Sequence, residues 1–263
     1  MTSTLSDPPR RVALITGAGR RIGRALALGF AAHGWDVGVH YHRSRDAALM
    51  VVEEIEVLGR RAAALEADLA DEAAVASLVP DLADAIGVPN CVINSASVFE
   101  DDTATDFRCD LLARMMQVNV GAPLVLARAL HAATPDEAID DERMRGVVIN
   151  ILDQKLFNLN PDFLSYTLTK AALDTATTLL AQSLAPKLRV VGLAPGLTLQ
   201  SFDQSPEAFD GLHRKTPLGA GSRPSDLVEA ALYLAEARAV TGTTLLVDGG
   251  EHLNPSLRVQ ADH

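Results

Sequence analysis

The feature that most constrains this chain is an apolar run, Val12-Ala13-Leu14-Ile15, that turns through Thr16-Gly17-Ala18-Gly19-Arg20-Arg21-Ile22-Gly23 into an Ala/Leu-rich helical stretch from Arg24 to Ala32. A strand that passes sharply into a helix through glycines exposes backbone N–H groups and the positive end of the helix dipole, which together suit an anion such as a pyrophosphate. The glycines at 17, 19 and 23 give G-x-G-x-x-x-G, one residue longer than the common G-x-G-x-x-G spacing.

The same alternation continues along the chain. Strand-like runs at Val37–Tyr41, Arg61–Glu66, Cys91–Ile93, Gly146–Ile151, Leu188–Leu193 and Thr244–Val247 are separated by helical patterns at Asp46–Leu58, at 71–86, at Asp110–Ala133 with a kink or new turn at Pro123, at Ser165–Leu184 and at Pro224–Glu236. Short β-branched runs between helices predict βαβ units, hence an α/β fold: one doubly wound (Rossmann) parallel sheet of about seven strands with helices on both faces. The expected single domain covers residues 11–250, after a flexible leader at 1–10 and before a tail at 251–263. Residues 135–142 read as an exposed acidic loop, and the thirty residues after Pro195-Gly196 as a loop over the site. In such a sheet the polar clusters that follow the strands gather on one edge.

Composition narrows the partners. A formal net charge of −11 argues against nucleic acid or an anionic membrane surface, which would repel the chain. No apolar run approaches the roughly 18 residues of a membrane span. Two cysteines, Cys91 and Cys109, are too few for a disulfide framework and fit a reducing cytoplasm. His33, His131 and His213 lack metal-ligand spacing, so no metal site is expected.

The most specific chemical signal is Tyr166-Thr167-Leu168-Thr169-Lys170. Four residues apart on a helix, a phenol and an ammonium share one face, and a nearby cation favours the phenolate, so Lys170 is expected to lower the pKa of Tyr166 toward neutral pH.

In order and separation these motifs resemble the short-chain dehydrogenase/reductase family over nearly the whole chain: Thr16 to Gly23, Asp68-Leu69, Asn94-Ser95-Ala96, Asn119, Tyr166 with Lys170, Pro195-Gly196, Thr241-Gly242 and Val247-Asp248-Gly249-Gly250. The resemblance implies a proton-relay group of Asn119, Tyr166 and Lys170 beside a nicotinamide, with Lys170 also holding its ribose. It also implies cofactor contacts from Gly17, Gly19, Arg21, Ile22, Gly23, Asn94, Ser95, Ala96, Pro195 and Gly196, with Asp68 and Leu69 flanking the adenine. A tetramer built from the long helices follows from the same resemblance.

Two positions depart from the common family pattern. Asp153 stands thirteen residues before Tyr166, where the family usually has serine, and Arg21 stands where it usually has glycine. Both departures resemble the pteridine reductase branch, as do His40-Tyr41-His42-Arg43-Ser44 and Asn94-Ser95-Ala96-Ser97-Val98-Phe99. That likeness implies Phe99 stacking on a pterin, Ser97 touching pterin or phosphate, Arg21 reaching both cofactor and substrate, and a catalytic group of Asp153, Tyr166 and Lys170. A carboxylate is no neutral hydroxyl donor to a carbonyl, but a proton-sharing Asp153 beside Tyr166 suits a ring nitrogen.

Cofactor choice follows from charge. An NAD site needs an acid at the end of the second strand, which would repel a phosphate; Asp36 comes at its start, and the strand ends instead in His40, Tyr41, His42, Arg43 and Ser44, a cationic and hydroxylic cluster suited to the 2′-phosphate of NADPH. The expectation is NADPH-dependent reduction of a dihydropterin or dihydrofolate. The alternatives are a carbonyl reductase acting on a ketone, quinone or 3-oxoacyl group, or an NADPH-sensing protein without turnover.

Overall fold

The computed structural model describes residues 11–200 and 205–254. Seven parallel strands lie in the order β3-β2-β1-β4-β5-β6-β7. They are β1 (Val12–Ile15), β2 (Asp36–Tyr41), β3 (Ala62–Glu66), β4 (Cys91–Asn94), β5 (Gly146–Ile151), β6 (Leu188–Pro195) and β7 (Thr244–Val247). The helices are α1 (Arg21–Ala32), α2 (Arg45–Val57), α3 (Glu72–Ala85), α4 (Cys109–Met116), α5 (Ala122–Ala133), α6 (Leu164–Ser183), α7 (Pro206–His213) and α8 (Pro224–Glu236). This is the expected single-domain, doubly wound sheet.

Alternation of side chains along the strands builds two cores. Ala13 and Ile15 face α1, α2 and α8 through Leu26, Phe30, Val51 and Leu234. Val12 and Leu14 face the other way, toward Leu78, Leu82, Leu126 and Leu130 of α3 and α5. Burying a side chain such as Phe30, fully enclosed under the sheet, contributes about 2 kcal/mol. Because β1 lies between β2 and β4, the strand order reverses at β1/β4, which opens a crevice at the carboxyl ends of the strands.

That crevice is braced by side chains at the strand ends. Thr16 Oγ1 accepts from Ser95 and Ala96 N–H, each at 3.0 Å, and so ties the end of β1 to the end of β4. Gly23 brings the first turn of α1 against the glycine turn, since a Cβ there would meet Gly17 O at 2.3 Å. Asp71 caps α3 by accepting from Ala73 and Ala74 N–H, as its place in the sequence suggests.

Three expectations need correction, on the loop after Gly196, the acidic loop and the tail. The loop expected after Gly196 contains helix α7, which begins with Ser205 accepting from Ala208 N–H and with Pro206 in its first turn. The long helix at 110–133 has the expected new turn at Pro123: a π-helical turn at Gln117–Gly121 precedes it, and Pro123 lies in the first turn of α5. The acidic loop folds into 3₁₀ turns at Asp136–Ile139 and Glu142–Met144 and buries Ala138. The expected tail begins as a 3₁₀ turn, Glu251–Leu253, held by Asp248 Oδ2 accepting from His252 N–H at 2.8 Å. The leader at 1–10 lies outside the described residues.

Candidate active site

At the glycine turn, α1 starts with no side-chain cap and no acid in its first turn, so its leading N–H groups stay open to an anion. Arg21 takes the left-handed region at φ 51°, the conformation that explains why glycine suits this position. Its guanidinium donates to Gln200 O at 3.0 Å and Leu199 O at 3.4 Å, which ties the cofactor turn to the segment after Gly196. Ile22, half-buried, packs on the α1 side of the core.

Beside the turn is a cavity of about 170 Å³ lined by Gly17, His40, His42, Asp68, Leu69, Ala96, Ser97, Val98, Arg114 and Val118. It brings together the strand-end clusters that the sequence places along some eighty residues. His42 and Asp68 approach to 3.7 Å across it, and Arg43 lies exposed beside half-buried Ser44. Asp36 is at the opposite end of β2, clamped by Arg60 and Arg61 at 2.6 to 2.9 Å.

His40 and Tyr41 are not part of a phosphate clamp. His40 is buried, accepts from Gly17 N–H through Nδ1 at 3.1 Å and donates from Nε2 to Ala67 O at 3.2 Å. Burial pushes its pKa down to about 4, so the ring is neutral and serves as a brace between β2, the glycine turn and the end of β3. Tyr41, also buried, donates its hydroxyl to Glu66 at 3.0 Å. Asn94 likewise turns into the sheet, where Nδ2 donates to Asn150 Oδ1 at 2.8 Å. The cationic cluster is thus narrower than expected: His42 and Arg43, with Ser44.

The reactive pair lies at the ends of β5 and α6. Tyr166 Oη donates to Asp153 Oδ2 at 2.8 Å, while Asp153 Oδ1 accepts from Lys155 N–H at 2.8 Å, which fixes the carboxylate. Lys170 donates to Ile151 O at 2.7 Å, and its Nζ stands 5.6 Å from the Tyr166 ring centroid. Here the expected electrostatics reverse. Burial, then the Asp153 charge and its hydrogen bond, hold the Tyr166 phenol well above its ordinary pKa, and Lys170 does not compensate. Burial lowers Lys170 itself to about 8, against the opposing pull of Asp153.

Asn119, in the π-helical turn, does not touch Tyr166 or Lys170 directly. Its Oδ1 accepts from Val98 N–H at 2.8 Å, and its Nδ2 donates to Val98 O and to Thr169 Oγ1, both at 3.0 Å. It therefore fixes the backbone one residue before Phe99. Phe99 is half exposed, stacks on Phe163 at 4.4 Å and meets Tyr166 edge-on at 4.7 Å. A stacked aromatic pair with a half-exposed ring thus lies beside the Asp153–Tyr166 pair. Ser97 lines the cavity beside Gly17.

A family model described as enoyl-(acyl carrier protein) reductase matches residues 17–252. The chain belongs to the short-chain dehydrogenase/reductase family. The short-chain reductase is 37% identical to FolM alternative dihydrofolate reductase 1 from Brucella canis, crystallised with NADP, over 97% of this chain and 98% of that one, with a TM-score of 0.88. It is 36% identical to an uncharacterised oxidoreductase of Mycobacterium tuberculosis, over 91% of each chain. It is also 28% identical to the 3-oxoacyl-[acyl-carrier-protein] reductase FabG of Staphylococcus aureus, over 92% of this chain and 98% of that one.

Sequence reasoning passed over three residues of this short-chain reductase. Asp102 caps α6 from outside the helix, its Oδ1 accepting from Ser165 N–H at 2.9 Å and its backbone O from Leu164 N–H at 3.0 Å. Phe163 holds the left-handed conformation at φ 54° that turns its ring onto Phe99. Arg114 reaches the cavity from α4. None of the three has a local signal, because each acts across a distance that only the fold closes.

Proposed function

We propose that this protein reduces a pterin-type ring, a dihydropterin or dihydrofolate, with NADPH. The observation that carries the reading is the Asp153–Tyr166 hydrogen bond beside the half-exposed Phe99 ring, which pairs a proton-handling carboxylate and phenol with a flat aromatic face. The likeness to a dihydrofolate reductase crystallised with NADP supports it.

The uncapped start of α1 fits a pyrophosphate, the cavity between Gly17, Asp68, Leu69, Ala96 and Val118 fits an adenosine, and His42, Arg43 and Ser44 fit a 2′-phosphate. When bound, NADPH supplies the hydride. The chain's own residues supply the proton. Tyr166 stays a phenol at neutral pH and donates to the Asp153 carboxylate in the resting site. A proton taken up by Asp153 reverses this bond and frees the phenolic hydrogen for a ring nitrogen, so one proton is delivered without leaving a phenolate beside a carboxylate. Lys170, held on Ile151 O, supplies the positive charge behind the pair.

Several exposed apolar side chains on the long helices, Met116 of α4, Leu124 of α5, and Leu168 and Leu179 of α6, suit a homotetramer. No helix among the described residues is long and apolar enough to cross a membrane, and two free cysteines accord with a cytoplasmic enzyme acting on a small molecule.

The test is NADPH oxidation with dihydrobiopterin, dihydromonapterin and dihydrofolate set against a panel of ketones, quinones and 3-oxoacyl thioesters. Turnover of the pterins is the expected result; turnover of carbonyl compounds alone selects the second reading, which the likeness to FabG favours. A Tyr166→Phe variant that leaves every activity unchanged would select a non-catalytic NADPH sensor instead.

A further inference from the structure

Behind Pro195-Gly196 lies a carboxylate that the sequence motifs do not include. Glu251, on the 3₁₀ turn after β7, accepts from Leu197 N–H at 2.9 Å through Oε2 and from Gln154 Nε2 at 3.3 Å through Oε1. Gly196 makes this approach possible, since a Cβ there would meet Glu251 Oε2 at 2.6 Å. The Leu197 carbonyl is held in turn by His213 of α7, whose Nε2 donates at 2.5 Å and whose ring packs on Phe209 at 4.1 Å. Thr198 completes the anchorage, donating to Gly196 O at 2.9 Å and sharing a hydrogen bond with Ser222 at 2.7 Å.

We propose that Glu251 is a positioning residue that joins the root of the substrate-side segment, residues 196–198, to the catalytic loop carrying Asp153. One carboxylate oxygen fixes Leu197, and through it the place where His213 docks α7. The other fixes Gln154, the residue that follows Asp153. Burial, reinforced by the charges of Asp153 and Asp248, raises the pKa of Glu251, and Leu197 N–H and His213 oppose the rise. The hydrogen bonds to Gln154 and Leu197, with His213 on the Leu197 carbonyl, place the carboxylate between the catalytic aspartate and α7. A site whose catalytic loop and substrate-side segment hang on one side chain loses rate when that side chain is cut, because misplacement by about 1 Å costs on the order of a hundredfold.

The inference rests on the assignment of Asp153 and Tyr166 to proton transfer, and its test separates the two. Glu251→Ala removes both bonds. Glu251→Gln keeps an acceptor for Leu197 N–H and offers an amide to Gln154 Oε1, which is buried without a partner among the described residues. Tryptic nicking after Arg214 and Lys215, both exposed at the end of α7, needs no substrate. The expected result is that Glu251→Ala accelerates nicking and lowers kcat at least about tenfold on whichever substrate the parent enzyme turns over, with KM changed far less, and that Glu251→Gln restores both. Unchanged nicking and kcat in Glu251→Ala, or losses that Glu251→Gln does not restore, would overturn the proposal. A parent enzyme that turns over only carbonyl compounds would refute the pterin reading and leave this experiment intact.

Discussion

Tyr166 gives its hydroxyl hydrogen to Asp153, thirteen residues upstream, across 2.8 Å. This contact sets the protonation of the site: buried and with an anion as acceptor, the phenol keeps its proton far into the alkaline range.

Replacing Asp153 by serine removes the anion and leaves a hydroxyl in its place. Pterin reduction is expected to fall by about 10²-fold or more, the usual worth of a positioned acid–base group, while reduction of activated ketones is kept or gained. Steady-state rates on both substrate classes measure the split, and equal losses on both would count against a role for Asp153 in substrate choice.

Lys170 titrates near 8 because burial disfavours its charge. The ammonium is present below that pH and lost above it, so kcat is expected to decline through an alkaline limb near pH 8. A Lys170→Arg variant, cationic throughout the accessible range, should lack the limb even if it is slower. A pH–rate profile of the two proteins is the measurement.

His40 makes a prediction about stability. Its pKa falls from 6.5 in the unfolded chain to about 4 in the fold, so between those values the unfolded chain binds a proton that the native state refuses. Its contribution is fully present above pH 6.5 and is lost as pH falls toward 4, by about 3 kcal/mol in all. Urea unfolding midpoints should drop across that window, and His40→Gln, less stable at pH 7, should show a shallower drop.

Arg21 combines a left-handed backbone with a side chain that holds the carbonyls of Leu199 and Gln200. Arg21→Gly relieves the first and removes the second. The expected outcome is a rise of about tenfold in KM for NADPH and for the pterin together, roughly the worth of a lost charged hydrogen bond. An effect on neither would show the turn to be an ordinary one.

The strands were legible because apolar β-branched runs such as Val147-Val148-Ile149 have no other stable place in a parallel sheet. Tyr166 and Lys170 were legible because residues four apart on a helix share one face, and Asp153 was legible only through the resemblance to the short-chain family, where it stands in the place of a serine. Burial was not legible: His40, Tyr41 and Asn94 read as polar groups at strand ends, and only the packing shows that they face the sheet. The sign of the Tyr166 shift failed for the same reason, since burial and the neighbouring carboxylate outweigh a lysine whose ammonium is turned to Ile151 O. Helix α7 was missed because its eight residues carry too little periodicity to stand out from a loop.

The half-exposed ring of Phe99 is carried by a short bridge set on two fixed piers. Asn119 grips the bridge at Val98 through both backbone groups, and Asp102 fastens its other end to the first turn of α6. Of the three residues between, Phe99 packs on Phe163 and Tyr166, while Glu100 and Asp101 are exposed, so exchanging these two alters the surface beside the site and leaves the packing of Tyr166 in place. Nature could therefore recut the rim of this site at two positions without moving its catalytic phenol, and so could an engineer.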